Sequence, residues 1–174
     1  MTGITAQSKL GRFVRSLATM LGTRWDAAGD LGTDIAAILA AIGGSTGQGV
    51  LQVRNTTIDL NQAAATYTLF TVNAQDVVVE ALVFRCPAAA AGGALTSISI
   101  QTDDATPQIF ITAAQGAVAN LTSEAQLAWT GAIMLDLGSA ARIQLTIAGG
   151  ATGVAYVCDV IALYRAIVAG GNLT

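Results

Sequence analysis

Eleven carboxylates, two cysteines and no histidine make up the reactive inventory of this sequence. Without imidazole there is no Ser-His-Asp or Cys-His arrangement, no zincin motif and no histidine-based metal site. Asp103 and Asp104 are the adjacent carboxylate pair. Neighbours on a turn point apart, and a calcium loop needs further oxygen ligands at regular spacing, so no metal is expected. Glycoside hydrolysis takes two carboxylates facing across a cleft. Glu80 with Asp136 or Asp159 are candidates for that work, but no pattern selects a pair. Glu80, Arg85, Asp159 and Arg165 interrupt otherwise apolar stretches, which reads more simply as salt bridges or polar positions at an interface.

Cys86 and Cys158 show no metal-ligand spacing, and each falls in an apolar, strand-like stretch. They are expected as buried free thiols. A disulfide between them is the alternative, because both fall on strands of one domain. Residues 43–49, Gly-Gly-Ser-Thr-Gly-Gln-Gly, have the glycines of a phosphate loop but not its lysine. They are read as a flexible linker, and no cofactor is expected. Asn55-Thr56-Thr57 and Asn120-Leu121-Thr122 match glycosylation sequons, which matter only with a secretory signal. Aromatic residues are 5% of the chain, too few for the exposed platforms that bind sugars or single strands. Trp129 is the one candidate of that kind in the C-terminal part, and it is expected in or near the core. The chain is therefore not expected to be an enzyme.

Composition points to self-association. Hydrophobic residues make up 53% of the 174 residues and charged residues 11%, against about one quarter charged in ordinary soluble domains. A lone molecule of this kind has little polar area with which to cover itself, so apolar surface is expected to meet other subunits. No uninterrupted apolar run reaches the roughly 18 residues of a spanning helix, so no membrane partner is expected. Leu17 to Leu21 is too short for a signal-peptide core. Charge is unevenly placed. Lys9, Arg12, Arg15 and Arg24 stand in residues 1–25 without an acid, giving +4; the whole chain is −3, so the remainder is −7. A basic arm on an acidic body suggests docking on an acidic surface. Four dispersed cations are a weak footprint for nucleic acid, which is not expected as a partner.

Residues 4–22 carry an amphipathic helical pattern, with Leu10, Val14, Leu17 and Leu21 on one face. A second helix is expected after Asp30. Ala28, Leu31, Ile35, Ile38 and Ile42 take alternating a and d positions, ending at Gly43-Gly44. Isoleucine at both a and d favours three or more strands over two. Leu31, Ile35, Ile38 and Ile42 are thus the expected oligomer contacts, and Lys9, Arg12, Arg15 and Arg24 the expected docking residues. The plainer reading of the heptad is a core helix of a monomer.

From residue 50 the hydrophobic period switches to two. A first strand region is expected over 50–54 and 56–60, then strands over 67–72, 77–86, 97–101, 108–112, 133–137, 142–147 and 154–167, with 117–121 and 126–130 weaker candidates. Strands at short spacing without intervening helical pattern indicate an antiparallel β-sandwich, jelly roll first, preceded by N-terminal helical segments. On the last strand Val154, Tyr156, Val160 and Tyr164 share one face and Val157, Ile161 and Leu163 the other. One face fills the core; the other needs a cover, which a neighbouring subunit supplies. The resulting division is a docking arm (1–25), an oligomerisation segment (26–43), a linker (44–49), a β domain (50–168) and a tail (169–174).

The Ala/Gly/Thr-rich composition, the Asp-Leu-Gly-Thr-Asp-Ile-Ala-Ala-Ile-Leu segment at 30–39, the glycine linker and the compact β domain together resemble accessory virion proteins of tailed bacteriophages, the capsid decoration and head-fibre type. That resemblance implies a homotrimer of β-sandwiches located on the virion, assembled in the host cytoplasm and docked on the major capsid protein or another virion protein. It carries no catalytic residues. A tail or baseplate component is the alternative within that class, and a carbohydrate-binding module for a host-surface glycan is the alternative outside it.

Overall fold

The computed structural model describes residues 48–174. The segments expected to be helical and the residues Lys9, Arg12, Arg15, Arg24, Leu31, Ile35, Ile38 and Ile42 lie outside the described residues.

Nine strands follow in chain order: β1 (Leu51–Asp59), β2 (Thr66–Asn73), β3 (Val77–Arg85), β4 (Ser97–Thr102), β5 (Ile109–Ile111), β6 (Gln126–Leu135), β7 (Arg142–Ala148), β8 (Val157–Ala166) and β9 (Asn172–Leu173). They form a four-stranded sheet in the order β1-β8-β3-β6 and a five-stranded sheet in the order β5-β4-β7-β2-β9. Every pairing between these strands is antiparallel. The first four strands pair with the next four in reverse, β1 with β8, β2 with β7, β3 with β6 and β4 with β5. A single long antiparallel hairpin, rolled up so that alternate pairs fall in opposite sheets, gives this order, and it is the double Greek key of a jelly roll.

Alternation creates the core. Ile98 and Ile100 on β4 and Ile143, Leu145 and Ile147 on β7 point inward from one sheet. Val77, Val79, Leu82 and Phe84 on β3, with Val160 and Tyr164 on β8, meet them from the other. The inward set on β3 skips two positions because the register shifts between Val79 and Ala81 against both neighbours. This bulge places Glu80 and Ala81 consecutively away from the core and returns Leu82 and Phe84 to it.

Several boundaries differ from the sequence reading. The first strand region expected over 50–60 is β1, whereas the separate segments over 126–130 and 133–137 are one strand, β6. Gly131, where the pattern breaks, sits inside β6 under the Trp129 ring. Residues 117–121 hold a turn of 3₁₀ helix at Val118–Asn120. The last long strand begins at Val157, and Val154, expected within that strand, is 69% exposed before it. The Thr152 side chain occupies the local acceptor, donating to the Val154 carbonyl at 2.7 Å. Residues 169–174, expected as a tail, include β9, which pairs with β2 and buries Leu173.

Candidate functional site: the outer face of the four-stranded sheet

Strand register decides which side chains share the outer face of β1-β8-β3-β6. Leu51, Arg165, Val78 and Met134 lie in one row across the sheet. Val53, Leu163, Ala81 and Thr130 form the next, and Asn55, Ile161, Val83 and Ala128 the third. Thr57, Asp159, Arg85 and Gln126 close the series. The first three rows are mostly aliphatic. Leu51, Val53 and Met134 are exposed, while Val78, Val83, Ile161 and Leu163 are half-covered by one another. The sheet face is apolar and has no second layer over it within the described residues.

Ion pairs bracket this apolar band. At one end the Arg165 Nε donates to the Glu80 Oε1 at 2.8 Å, reaching across from β8 to the bulge of β3. At the other end Arg85 stands 4.0 Å from Asp159 and 3.7 Å from Glu124. These side chains are two-fifths or more exposed at most positions, so the pairs add little stability in water. Their effect is to neutralise the charges that interrupt the apolar strands.

The carboxylates weighed for glycoside chemistry are thereby accounted for. Glu80 and Asp159 are held by arginines. Asp136 accepts from the Gly138 and Ser139 amides at 2.7 Å each and from the Ser139 hydroxyl at 2.8 Å. Those bonds, the Ser139 hydroxyl foremost, hold its pKa below the usual carboxylate value. Asp103 takes the Arg142 amide at 2.9 Å and stands 3.6 Å from its guanidinium, while Asp104 accepts from the Thr102 hydroxyl at 2.7 Å. Both serve a turn. Among the described residues, no three of His, Cys, Asp and Glu come together as metal ligands.

Behind the face lies a cluster of buried groups. Cys86 follows β3 directly, and the register that sets Arg85 against Asp159 brings Cys86 opposite Cys158. Both thiols are free and buried. The hydrogen bond from its partner thiol lowers the Cys86 pKa to about 7. The same bond, with burial, pushes Cys158 up. Burial also raises Tyr156, whose hydroxyl donates to the Leu121 carbonyl at 2.9 Å.

The division of the last strand into two apolar faces was legible before the fold. Val160 and Tyr164 are buried, and Val157, Ile161 and Leu163 lie on the outer side. The contributions of Leu51, Val53, Val78 and Met134 were not, because only the pairing of four sequence-distant strands makes them neighbours. Trp129 turns inward and meets the Phe110 ring.

No family model matches this sequence, and neither does any curated protein. Solved structures do. One chain comes from the acid-stable capsid of Helicobacter pylori bacteriophage KHP30, with a TM-score of 0.51, 12% identity, and 72% of this chain and 93% of that chain covered. A second, from the capsid asymmetric unit of cyanophage Pam1, has a TM-score of 0.50 and 14% identity, covering 84% of this chain and 95% of that one. The likeness is one of fold: both chains share this sandwich.

Proposed function

We propose that the chain is a non-enzymatic structural protein of a bacteriophage virion, assembled in the host cytoplasm. It forms a homotrimer that decorates the capsid or projects from it as a head fibre. The basic arm, with Lys9, Arg12, Arg15 and Arg24, docks on the major capsid protein or another virion protein, and the isoleucine heptad at Leu31, Ile35, Ile38 and Ile42 ties the copies together. Binding through several arms at once turns weak contacts into firm attachment.

The observation that carries this reading is the apolar outer face of β1-β8-β3-β6, without a second layer among the described residues, on a sandwich whose fold also occurs in chains of two phage capsids. A sugar-binding role gains no support from Trp129, whose ring packs against Phe110 instead of forming a platform.

The test is native mass measurement of the purified full chain, followed by attachment to purified particles. The expected mass is that of three chains, and deletion of residues 1–25 leaves a soluble oligomer that no longer attaches. A monomer at micromolar concentration overturns the trimer, and attachment without the arm overturns the docking role. Many copies per particle fit decoration, whereas a few fit a tail or baseplate part.

A further inference from the structure

Exposed apolar side chains are unevenly distributed over the sandwich. Ten large ones are exposed among the described residues, and Val50, Leu51, Met134, Leu137, Ile167 and Val168 gather at one end of the four-stranded sheet. Leu51 and Met134 lie at opposite edges of the first outer row. Ile167 and Val168 continue from β8. Asp76 joins the remainder: its carbonyl accepts the Ile167 amide at 3.1 Å and its carboxylate the Leu137 amide at 3.1 Å. The patch thus lies at one end of the sandwich, taking in the outer face and the tip.

This is also the end at which the chain joins the sandwich. Gln48 bridges to Ala166, its side-chain amide donates to the Ile167 carbonyl at 3.1 Å, and the Gly49 amide donates to the Ala166 carbonyl at 3.0 Å. The Arg165 guanidinium holds the Gly49 carbonyl from the other side. The described chain therefore begins at this end of the sandwich.

We propose that this patch is the contact between copies of the chain, the partner being a second copy of the chain. The inference rests on the oligomer proposed above and specifies which part of the outer face it uses. Three observations favour a copy over a foreign partner. Arg165 of the first row and Glu80 of the β3 bulge neutralise one another, and Asp76 and Asp136 are occupied by backbone amides, so among the described residues of the patch these charges are not aimed at an oppositely charged partner. The patch surrounds the point of chain attachment. And residues 43–47, five in number, span at most about 18 Å when extended, so copies joined through residues 28–42 hold their Gln48 ends together at high effective concentration. The other end of the sandwich, with Val154, gains nothing from that tether.

Cysteine cross-linking of the full chain reads proximity directly. Leu51→Cys and Val168→Cys are each treated with diamide, with Val154→Cys and the unmodified chain as controls, since the native thiols are buried. The expected result is an interchain disulfide in the first two and none in the controls, together with loss of the trimer mass in a Leu51→Glu, Val168→Glu double variant that keeps its β-sheet circular dichroism. A trimeric wild type whose Leu51→Cys and Val168→Cys variants fail to cross-link, or whose double variant stays trimeric, overturns this contact and leaves the trimer standing. A monomeric wild type overturns both. Equal cross-linking of Val154→Cys also counts against the proposal, because the contact is then not confined to the Gln48 end.

Discussion

Phe110 and Trp129 meet edge to face, with ring centroids 4.8 Å apart and planes at 80°. Phe110 belongs to β5, the outer strand of one sheet, and Trp129 to β6, the outer strand of the other. The pair closes the sandwich along a side where no backbone ladder joins the sheets. Gly131 makes room for it, since a Cβ there would stand 2.6 Å from the Trp129 ring. Trp129→Ala is expected to cost about 3 kcal/mol, near the low end for buried aromatics because the ring is only partly buried. Phe110→Ala should cost a similar amount. The double variant should fall short of the sum by about 1 kcal/mol, the share belonging to the ring contact itself. Urea unfolding of the four proteins measures this, and additive losses would mean the rings act independently.

The buried thiols give stability a pH dependence whose sign can be worked out. In the folded chain Cys86 ionises at about 7, below the thiol value of 9.0, because Cys158 donates to it, and Cys158 is pushed up in consequence. Between pH 7 and 9 the folded pair has released one proton while the unfolded thiols keep both, so stability rises with pH. Above pH 9 the unfolded chain releases two and the folded chain one, so the contribution falls again. The raised Tyr156 hydroxyl deepens that fall above pH 10, where the unfolded phenol ionises. The urea midpoint of the wild type relative to Cys86→Ala should therefore climb from pH 7 to 9 and decline beyond it. A flat difference would show that the two sulfurs do not share a proton.

Much of this architecture could be read from alternation alone. Ser97–Gln101 and Arg142–Ile147 announce half-buried strands, and the two-faced apolar pattern after Tyr156 marks a strand that is covered on one side and presents the other. What escaped the sequence depends on partners distant along the chain. Gly131 reads as a break, yet β6 takes up Gly131 and Ala132 as a bulge opposite Glu80 of β3 and the strand continues. Asn172 and Leu173 are too short a run to signal a strand and become one because the edge of β2 is free to take them. Val154 fits the inward phase of the final strand, but strand pairing starts later, at Val157. The apolar face itself was half-legible: Ile161 and Leu163 could be assigned to it, whereas Met134 joins Leu51 only through two intervening strands.

Backbone strain offers a paired test in which neighbouring chemistry gives opposite signs. Gly93 has φ +66, and a Cβ on it would lie 2.4 Å from the Thr152 carbonyl carbon, which belongs to a buried backbone segment. Gly93→Ala combines a left-handed conformation with a clash that cannot relax by rotating a side chain, and should cost more than about 2 kcal/mol. Ala74 also has positive φ, 65°, in the turn between β2 and β3. Ala74→Gly removes the steric penalty at that residue but loosens the unfolded chain, for a net gain of up to about 1 kcal/mol. Thermal melting should move down for the first and up or nowhere for the second. A stabilised Gly93→Ala would mean this turn is not formed as described.

The C-terminal strand makes a final test, because it does two separable things. Leu173 is buried, and the Thr71 and Thr174 backbones exchange hydrogen bonds at 2.9 Å in both directions, so β9 both fills the core and covers part of the edge of β2. Leu173→Ala removes only the filling and should lower stability by about 2–3 kcal/mol while leaving the edge paired. Truncation after Val168 removes both. It should cost at least as much and, in addition, leave unpaired amides and carbonyls on β2 that can recruit a strand from another molecule. Light scattering near the melting temperature distinguishes the two variants: aggregation that grows with concentration is expected for the truncation and not for Leu173→Ala. Equal scattering from both would assign the effect to lost core packing, and a truncated chain as stable as the full one would remove β9 from the fold's supports altogether.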